Sequence, residues 1–210
     1  MAELVIIRHG QTKLNSKLIL QGHMHGELDE TGKKQAAAIA GEFYGTNISA
    51  IYSSDLGRAM ETAEYIRERT GLRIIKDSSL RERNLGIFEG ITLEDIKENY
   101  PDAYRTYISM DPDFVIPEGE SIMQMYDRLI PFLNFIAAEN PDRKVAVVTH
   151  SGPLDVILRH TLDVPFKALR KFTISNGSIS AFSVENGAWI LQEWGNIRHL
   201  RTIGSMNINI

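Results

Sequence analysis

Two apolar tetrapeptides, each running into a histidine, constrain this chain more than any other feature. Leu4-Val5-Ile6-Ile7 leads into Arg8-His9-Gly10-Gln11-Thr12, and Val145-Ala146-Val147-Val148 leads through Thr149 into His150-Ser151-Gly152. Apolar runs without alternation suit strands covered on both faces, as in a parallel sheet flanked by helices. Ligands of such sheets gather at the carboxyl ends of the strands. What stands there is an arginine, a histidine, a glycine that lets backbone approach a ligand closely, and small polar residues, the equipment for holding an oxyanion. A single histidine in that place reads equally well as a cap on its strand. Two in the same relation to their strands call for another explanation.

The intervening chain alternates strand and helix signals. Residues 16 to 28, with Gln21-Gly22, His23 and His25, read as a loop. Thr31-Gly32 opens a helix with Ala36, Ala37, Ile39, Ala40 and Phe43 at helical spacing, ending near Gly45. Ile48 to Tyr52 reads as a strand, and Leu56 to Arg69 as a helix with Ser54 or Asp55 as N-cap. Leu72 to Lys76 is a third strand. Thr92 to Met110 is helical with an interruption at Pro101, and Ser121 with Gln124 forms a capping box for a helix towards Ala138 that Pro131 should kink or restart. Lys144 to Thr149 is a strand and Leu154 to Thr161 a helix, then Ser178 to Val184 and Ala188 to Glu193 read as strands joined at Glu185-Asn186-Gly187. From Gly204 onward the chain reads as a loose tail. Asn84 to Gly119 breaks the alternation and reads as an insertion.

Composition narrows the chemistry. At 210 residues the chain fits one domain, and a formal charge of −4 argues against nucleic acid, whose phosphates need a basic face. With no cysteine, thiolate catalysis and sulfur-based zinc sites are excluded, so histidine, carboxylate or hydroxyl must act. No window approaches the ~20 apolar residues of a membrane span, and no leader pattern stands at the amino terminus, so no membrane partner and a cytoplasmic setting are expected.

Three strand-to-helix junctions deliver Arg8 with His9, Arg58, and His150 to one edge of the sheet. Two arginines and two histidines in one crevice describe a phosphate site: guanidinium forks match phosphate oxygens, and helix N-termini behind Ser54 and Gly152 add N–H donors. His23 and His25 lack a carboxylate cluster beside them and read as solvated, so no metal is assigned.

These residues carry a family resemblance. Arg8-His9-Gly10-Gln11-Thr12 with Asn15, Ser53-Ser54-Asp55-Leu56 with Arg58 and Thr62-Ala63, Leu80-Arg81-Glu82 with Gly86 and Glu89-Gly90, Thr149-His150-Ser151-Gly152, and Asn196 with His199-Leu200 resemble, in order, the motifs of the histidine phosphatase superfamily, also called phosphoglycerate mutase-like. The resemblance implies an α/β fold, a three-layer sandwich with a mostly parallel central sheet, and one domain over residues 1–210 with a helical, lid-like insertion at about 84–119. It implies His9 as the nucleophile that forms a phosphohistidine, with Arg8, Arg58 and His150 around the transferring phosphoryl group, and Asn15, Gln21, Gly22 and Ser151 as further substrate-side residues. Glu82 matches the family's proton donor, a role that calls for a carboxyl group poised towards neutrality. No cofactor is implied. Many relatives carry an acidic residue where His25 stands, so the loop from Gln21 to His25 departs from the pattern.

Rival signatures fail. Gly26 to Lys33 has the wrong glycine spacing for a phosphate loop, Asp111-Pro112-Asp113 follows no apolar strand, and no Gly-x-Ser-x-Gly elbow is present. The expected activity is hydrolysis of small phosphorylated metabolites, with a homodimer left open. Family mutases follow the glutamate with Arg-His-Tyr-Gly and carry extra cations in a longer insertion. Here Glu82-Arg83 precedes Asn84-Leu85-Gly86 and the insertion offers little beyond Lys97 and Arg105. A cofactor-dependent phosphoglycerate mutase is therefore the weaker reading, and a non-catalytic phospho-ligand module weaker again, because His9 and Glu82 are both in place.

Overall fold

The computed structural model describes residues 1–205. Six strands, β1 (Ala2–Arg8), β2 (Ile48–Ser53), β3 (Ile74–Lys76), β4 (Lys144–Thr149), β5 (Ile179–Glu185) and β6 (Ala188–Asn196), form one sheet in the order β3-β2-β4-β1-β5-β6. The pairs β3-β2, β2-β4 and β4-β1 are parallel, and β5 and β6 add an antiparallel hairpin at one edge.

Strand β1 explains its own composition. Leu4 and Ile6 enter one apolar cluster while Val5 and Ile7 enter another on the opposite face, so every residue of the run is buried against something. β4 divides the same way, Val145 and Val147 on one side, Ala146 and Val148 on the other. The first face is covered by α6 (Ile122–Glu139) and α7 (Ser151–Thr161), through Leu129, Leu133, Ile136, Leu154 and Ile157. The second is covered by α2 (Glu30–Glu42) and α3 (Gly57–Thr70), through Ile39, Ala59, Ala63 and Ile66. This is the three-layer arrangement with a mostly parallel sheet that the sequence calls for.

Local signals account for most boundaries. Asp29 caps α2 by accepting from the Gly32 amide, the Ser121 and Gln124 capping box starts α6, and Gly71 ends α3 in the left-handed region. Pro101 splits the helical stretch of the insertion into α4 (Leu93–Asn99) and α5 (Pro101–Ile108), taking the first position of the second helix, where its missing N–H costs nothing. Leu85, Phe88, Ile96 and Ile116 of this segment pack with Leu20 into a third apolar cluster, apart from the sheet.

Three expectations need correction, and one short helix ahead of the expected loop is additional. The N-cap of α3 is Leu56, without a side-chain cap, because the Ser54 hydroxyl is turned towards His150. Helix α6 runs through Pro131 as one element, its packing against the sheet outweighing the lost hydrogen bond. The loop after β1 contains a four-residue helix, α1 (Lys13–Ser16), held by a reciprocal Thr12 and Asn15 capping box. Gly204 and Ser205 are tied down by Gln35 and by the Asn176 carbonyl; the rest of the expected tail lies outside the described residues.

Helix α2 meets the segment after β1 at a pair of glycines. A Cβ on Gly32 would fall 2.0 Å from the Gln11 carbonyl oxygen, and one on Gly10 would fall 2.5 Å from the Gly32 carbonyl oxygen. Alanine at Gly32 gains helix propensity of about 1 kcal/mol but meets backbone that cannot step aside, at a cost near the ~3 kcal/mol upper end for overpacking. Gly32→Ala should therefore lose about 2 kcal/mol net in urea unfolding; unchanged stability would mean that the two backbones separate freely.

Candidate active site

The register of β1 against β4 pairs Arg8 with Thr149, so His9 and His150 are the next residues beyond the paired ends. Their rings stand edge to face with centroids 5.0 Å apart. Arg58, in the first turn of α3, reaches the same place: its Nε donates to His9 Nε2 at 3.2 Å. All four side chains are at most 3% exposed.

Hydrogen bonding fixes the state of His9. Its Nδ1 lies 2.7 Å from the carbonyl oxygen of Gly10, which can only accept, so Nδ1 carries the proton. Arg58 Nε can only donate, so Nε2 presents its lone pair. Burial, with Arg58 and Arg8 adding to it, holds the His9 pKa well below the usual imidazole value, and His150 is lowered in the same way by burial, Arg58, His9 and Arg8. Both rings are neutral near pH 7. Arg8 and Arg58 are drawn down to about 10, chiefly by burial and partly offset by Glu82, and so remain charged.

The guanidinium groups are held by main chain. Arg8 donates to the Ile174 carbonyl, and Arg58 donates to Gly22 O at 2.8 Å and Met24 O at 3.0 Å. Two buried nitrogens beside His9, Arg8 Nε and His150 Nδ1, have no hydrogen-bond partner among the described residues. His150 Nε2 is 2.8 Å from Ser54 Oγ, which itself accepts from the Leu56 amide. That hydroxyl is then free to donate to Nε2, leaving the proton of His150 on Nδ1. A lone pair held only by the long Arg58 contact, and flanked by unpartnered donors, is suited to attack an electrophile that carries anionic oxygens.

Glu82 sits at the amino end of α7. Its carboxylate accepts from the Gly152 amide at 2.9 Å, from Ser151 Oγ at 3.0 Å and from the Arg83 amide at 3.0 Å. The amide at Gly152, read from the sequence as a phosphate donor, is thus spent on the carboxylate. Asn15 Oδ1 accepts from Thr12 N, Thr12 Oγ1 and Asn176 Nδ2, which leaves the amide nitrogen as the side of Asn15 not used by its own loop. Gln21 is buried and its Oε1 has no partner among the described residues. Gly22, at φ +47, could carry no side chain: a Cβ would fall 2.1 Å from Glu89 Oε1.

His23 departs from expectation. It is half-buried and bonded to protein; its Nε2 lies 2.8 Å from the Glu82 carbonyl oxygen. His25 is exposed, and among the described residues no group of three or more His, Cys, Asp or Glu side chains is arranged to hold a metal ion.

Several contributors escaped the sequence reading. Arg128 pairs with Glu120 and donates to the carbonyls of Ser79, Arg81 and Glu82, bracing the segment that carries the carboxylate. No local pattern marks that pair. Thr62 stands in its motif without a role read from the sequence; its Oγ1 accepts from Gly10 N and donates to Arg58 O, which its i+4 spacing from Arg58 could have raised. Gly177 N donates to the carbonyls of Arg8 and His9, and Asn176-Gly177 is a turn signal that could have been placed beside them.

Comparison with known proteins finds relatives that match nearly the whole chain. The chain is 36% identical over 208 residues, 97% of its length and 89% of the relative's, to Phosphoglycerate mutase-like protein 4 of Arabidopsis thaliana. It is 35% identical over 209 residues, 97% and 85% of the two chains, to the Metal-independent phosphoserine phosphatase of the same plant. A solved mycobacterial glucosyl-3-phosphoglycerate phosphatase, complexed with VO3, matches with a TM-score of 0.81 at 34% identity, covering 92% of this chain and 98% of that one. The model of the histidine phosphatase superfamily, branch 1, spans residues 4–197. With motifs, fold and match running the length of the sheet, the chain belongs to the histidine phosphatase superfamily, branch 1.

Proposed function

We propose that this chain is a metal-independent phosphomonoesterase that hydrolyses small phosphorylated metabolites through a phosphohistidine at His9. The observation that carries the reading is the neutral His9 with its proton on Nδ1 and its Nε2 lone pair beside Arg58, Arg8 and His150. Two of the three proteins compared above are phosphatases by name.

In the first step His9 Nε2 forms a bond to phosphorus as the ester P–O bond breaks. Glu82 gives its proton to the leaving oxygen. In the second, Glu82 takes a proton from water as the water oxygen attacks phosphorus and the N–P bond breaks, which frees His9 and releases phosphate. Arg8, Arg58 and His150 stabilise the charge on the phosphoryl oxygens throughout, with Asn15 as a further donor. Gln21, Gly22 and Ser151 serve the site from behind: Gly22 as a carbonyl partner of Arg58, Ser151 as a partner of Glu82, and Gln21 within the same loop.

Residues 84–119 act as a lid on a single domain. The mutase reading is weaker because this lid brings no paired cations to the substrate. Lys97 is exposed, Arg105 is exposed and paired with Asp102, and Arg83 is spent on the carbonyls of Phe114 and Glu120. No helix among the described residues is long and apolar enough to cross a membrane. Charged metabolites stay where they are made, and the reading sets the enzyme in the cytoplasm with them.

Three outcomes follow from the mechanism. Rapid quench with a labelled phosphomonoester, in excess chelator, should trap an acid-labile, alkali-stable phosphoenzyme that His9→Ala abolishes, and 15N NMR at pH 6.5 should find His9 neutral and protonated on Nδ1. A charged His9 at that pH, or a phosphoenzyme that needs an added metal, contradicts the scheme. Glu82→Gln should slow single-turnover phosphorylation by alkyl phosphates by roughly 10²-fold while sparing aryl esters with good leaving groups; equal losses would remove Glu82 from proton transfer. Finally, phosphate release should exceed 3-phosphoglycerate to 2-phosphoglycerate interconversion, with or without 2,3-bisphosphoglycerate. Interconversion faster by orders of magnitude would make the protein a mutase.

A further inference from the structure

His23 has no part in the scheme above, yet it is the only side chain of the Gln21 to His25 loop for which a hydrogen bond to the Glu82 segment is described. The carbonyl oxygen of Glu82 can only accept, so His23 Nε2 carries a proton and donates to it at 2.8 Å. The same oxygen accepts from Arg128 Nη2, also at 2.8 Å. The main chain of the proposed proton donor is therefore gripped twice, once by a guanidinium paired with Glu120 and once by an imidazole from the loop on the other side of the site.

That loop is anchored at the opposite end of the reaction. Gly22 and Met24, the neighbours of His23, give their carbonyl oxygens to Arg58, whose Nε donates to His9 Nε2. The His23 amide donates to Glu89 Oε1 at 2.7 Å, and that oxygen also accepts from the Leu85 amide. Residues 22–24 thus form a short strut with the nucleophile's arginine at one end and the proton donor's backbone at the other.

We infer that His23 is a positioning residue for Glu82: it sets the reach of the carboxyl group towards the leaving oxygen by holding the Glu82 carbonyl at a fixed distance from Arg58. The inference rests on Glu82 as the proton donor. The Nε2–H holds the carbonyl by distance and direction, so the role of the contact is steric and directional. Without His23, Arg128 still holds the segment. The carboxyl group then remains near the site but loses alignment, and an ångström-scale misplacement weakens proton transfer to a poor leaving group while leaving a good one unaffected.

The test is the dependence of single-turnover phosphorylation on leaving-group pKa, measured with a series of aryl and alkyl phosphates for the wild type, His23→Leu, His23→Gln and Glu82→Gln. His23→Leu should lower the alkyl-to-aryl rate ratio by about tenfold, in the direction of Glu82→Gln, while His23→Gln, which places an amide N–H near the lost Nε2–H, should restore it. A purely structural role would slow both substrate classes alike. An unchanged ratio in His23→Leu and His23→Gln, with the ratio lowered in Glu82→Gln, overturns this inference and leaves the proton-donor assignment standing. An unchanged ratio in Glu82→Gln removes the donor assignment and the inference with it. If His23→Leu does not fold, His23→Ala and His23→Gln compared at matched thermal stability give the same decision.

Discussion

The constraint on which the structure depends is the burial of two guanidinium groups beside two imidazoles. Arg8 and Arg58 are 2% and 1% exposed, and a buried charge without partners costs several kcal/mol. Their described hydrogen bonds to protein oxygens run to the main-chain carbonyls of Ile174, Gly22 and Met24. Carbonyl dipoles hold a cation in place without cancelling its charge, so the crevice keeps a net positive field for a dianion. The counter-charge that acts most strongly on both arginines is Glu82, and its carboxylate is turned towards the amino end of α7. The loops around residues 21–25 and 174–177 are shaped by this need, since each supplies backbone oxygen to an arginine.

The same burial sets the histidines. In a dry, cationic pocket a protonated imidazole is unfavourable, which is why both rings stay neutral and why the lone pair of His9 is available near pH 7. Orientation costs little more, because the carbonyl that selects the tautomer belongs to the next residue, Gly10, whose amide is pinned by Thr62 on α3. His9, Arg58 and α3 are thereby tied into one unit, which under the proposed mechanism leaves little reorganisation for the moment of reaction.

Glu82 stands on less regular ground. Ser78 to Gly90 contains two short 3₁₀ turns and no strand or α-helix, so the position of its carboxylate has to be imposed by neighbours. Arg128 and Glu120 impose it from α6 and the loop before it, the amino end of α7 from below, and His23 from across the crevice. The carboxyl group proposed as acid and then base is thus placed by groups from α6, from the amino end of α7 and from the loop that carries His23.

Sequence patterns determined the strands, their buried faces and the residues delivered at their ends, because these rest on local periodicity. Leu4 to Ile7 and Val145 to Val148 are apolar throughout since both faces of the sheet are covered, and that alone puts Arg8, His9 and His150 at one edge. Caps and breakers such as Ser121 with Gln124 and Pro101 act within one turn of helix and were legible for the same reason. Tertiary structure decided what each group does once delivered: the tautomer of His9, the turning of Ser54 from a helix cap to His150, the commitment of the Gly152 amide to Glu82, and the contact between His23 and a carbonyl 59 residues away. None of these has a local signature. Each depends on how closely segments distant in sequence approach, a distance set by the packing of α3, α6 and α7 on the sheet and not by the residues at the site itself.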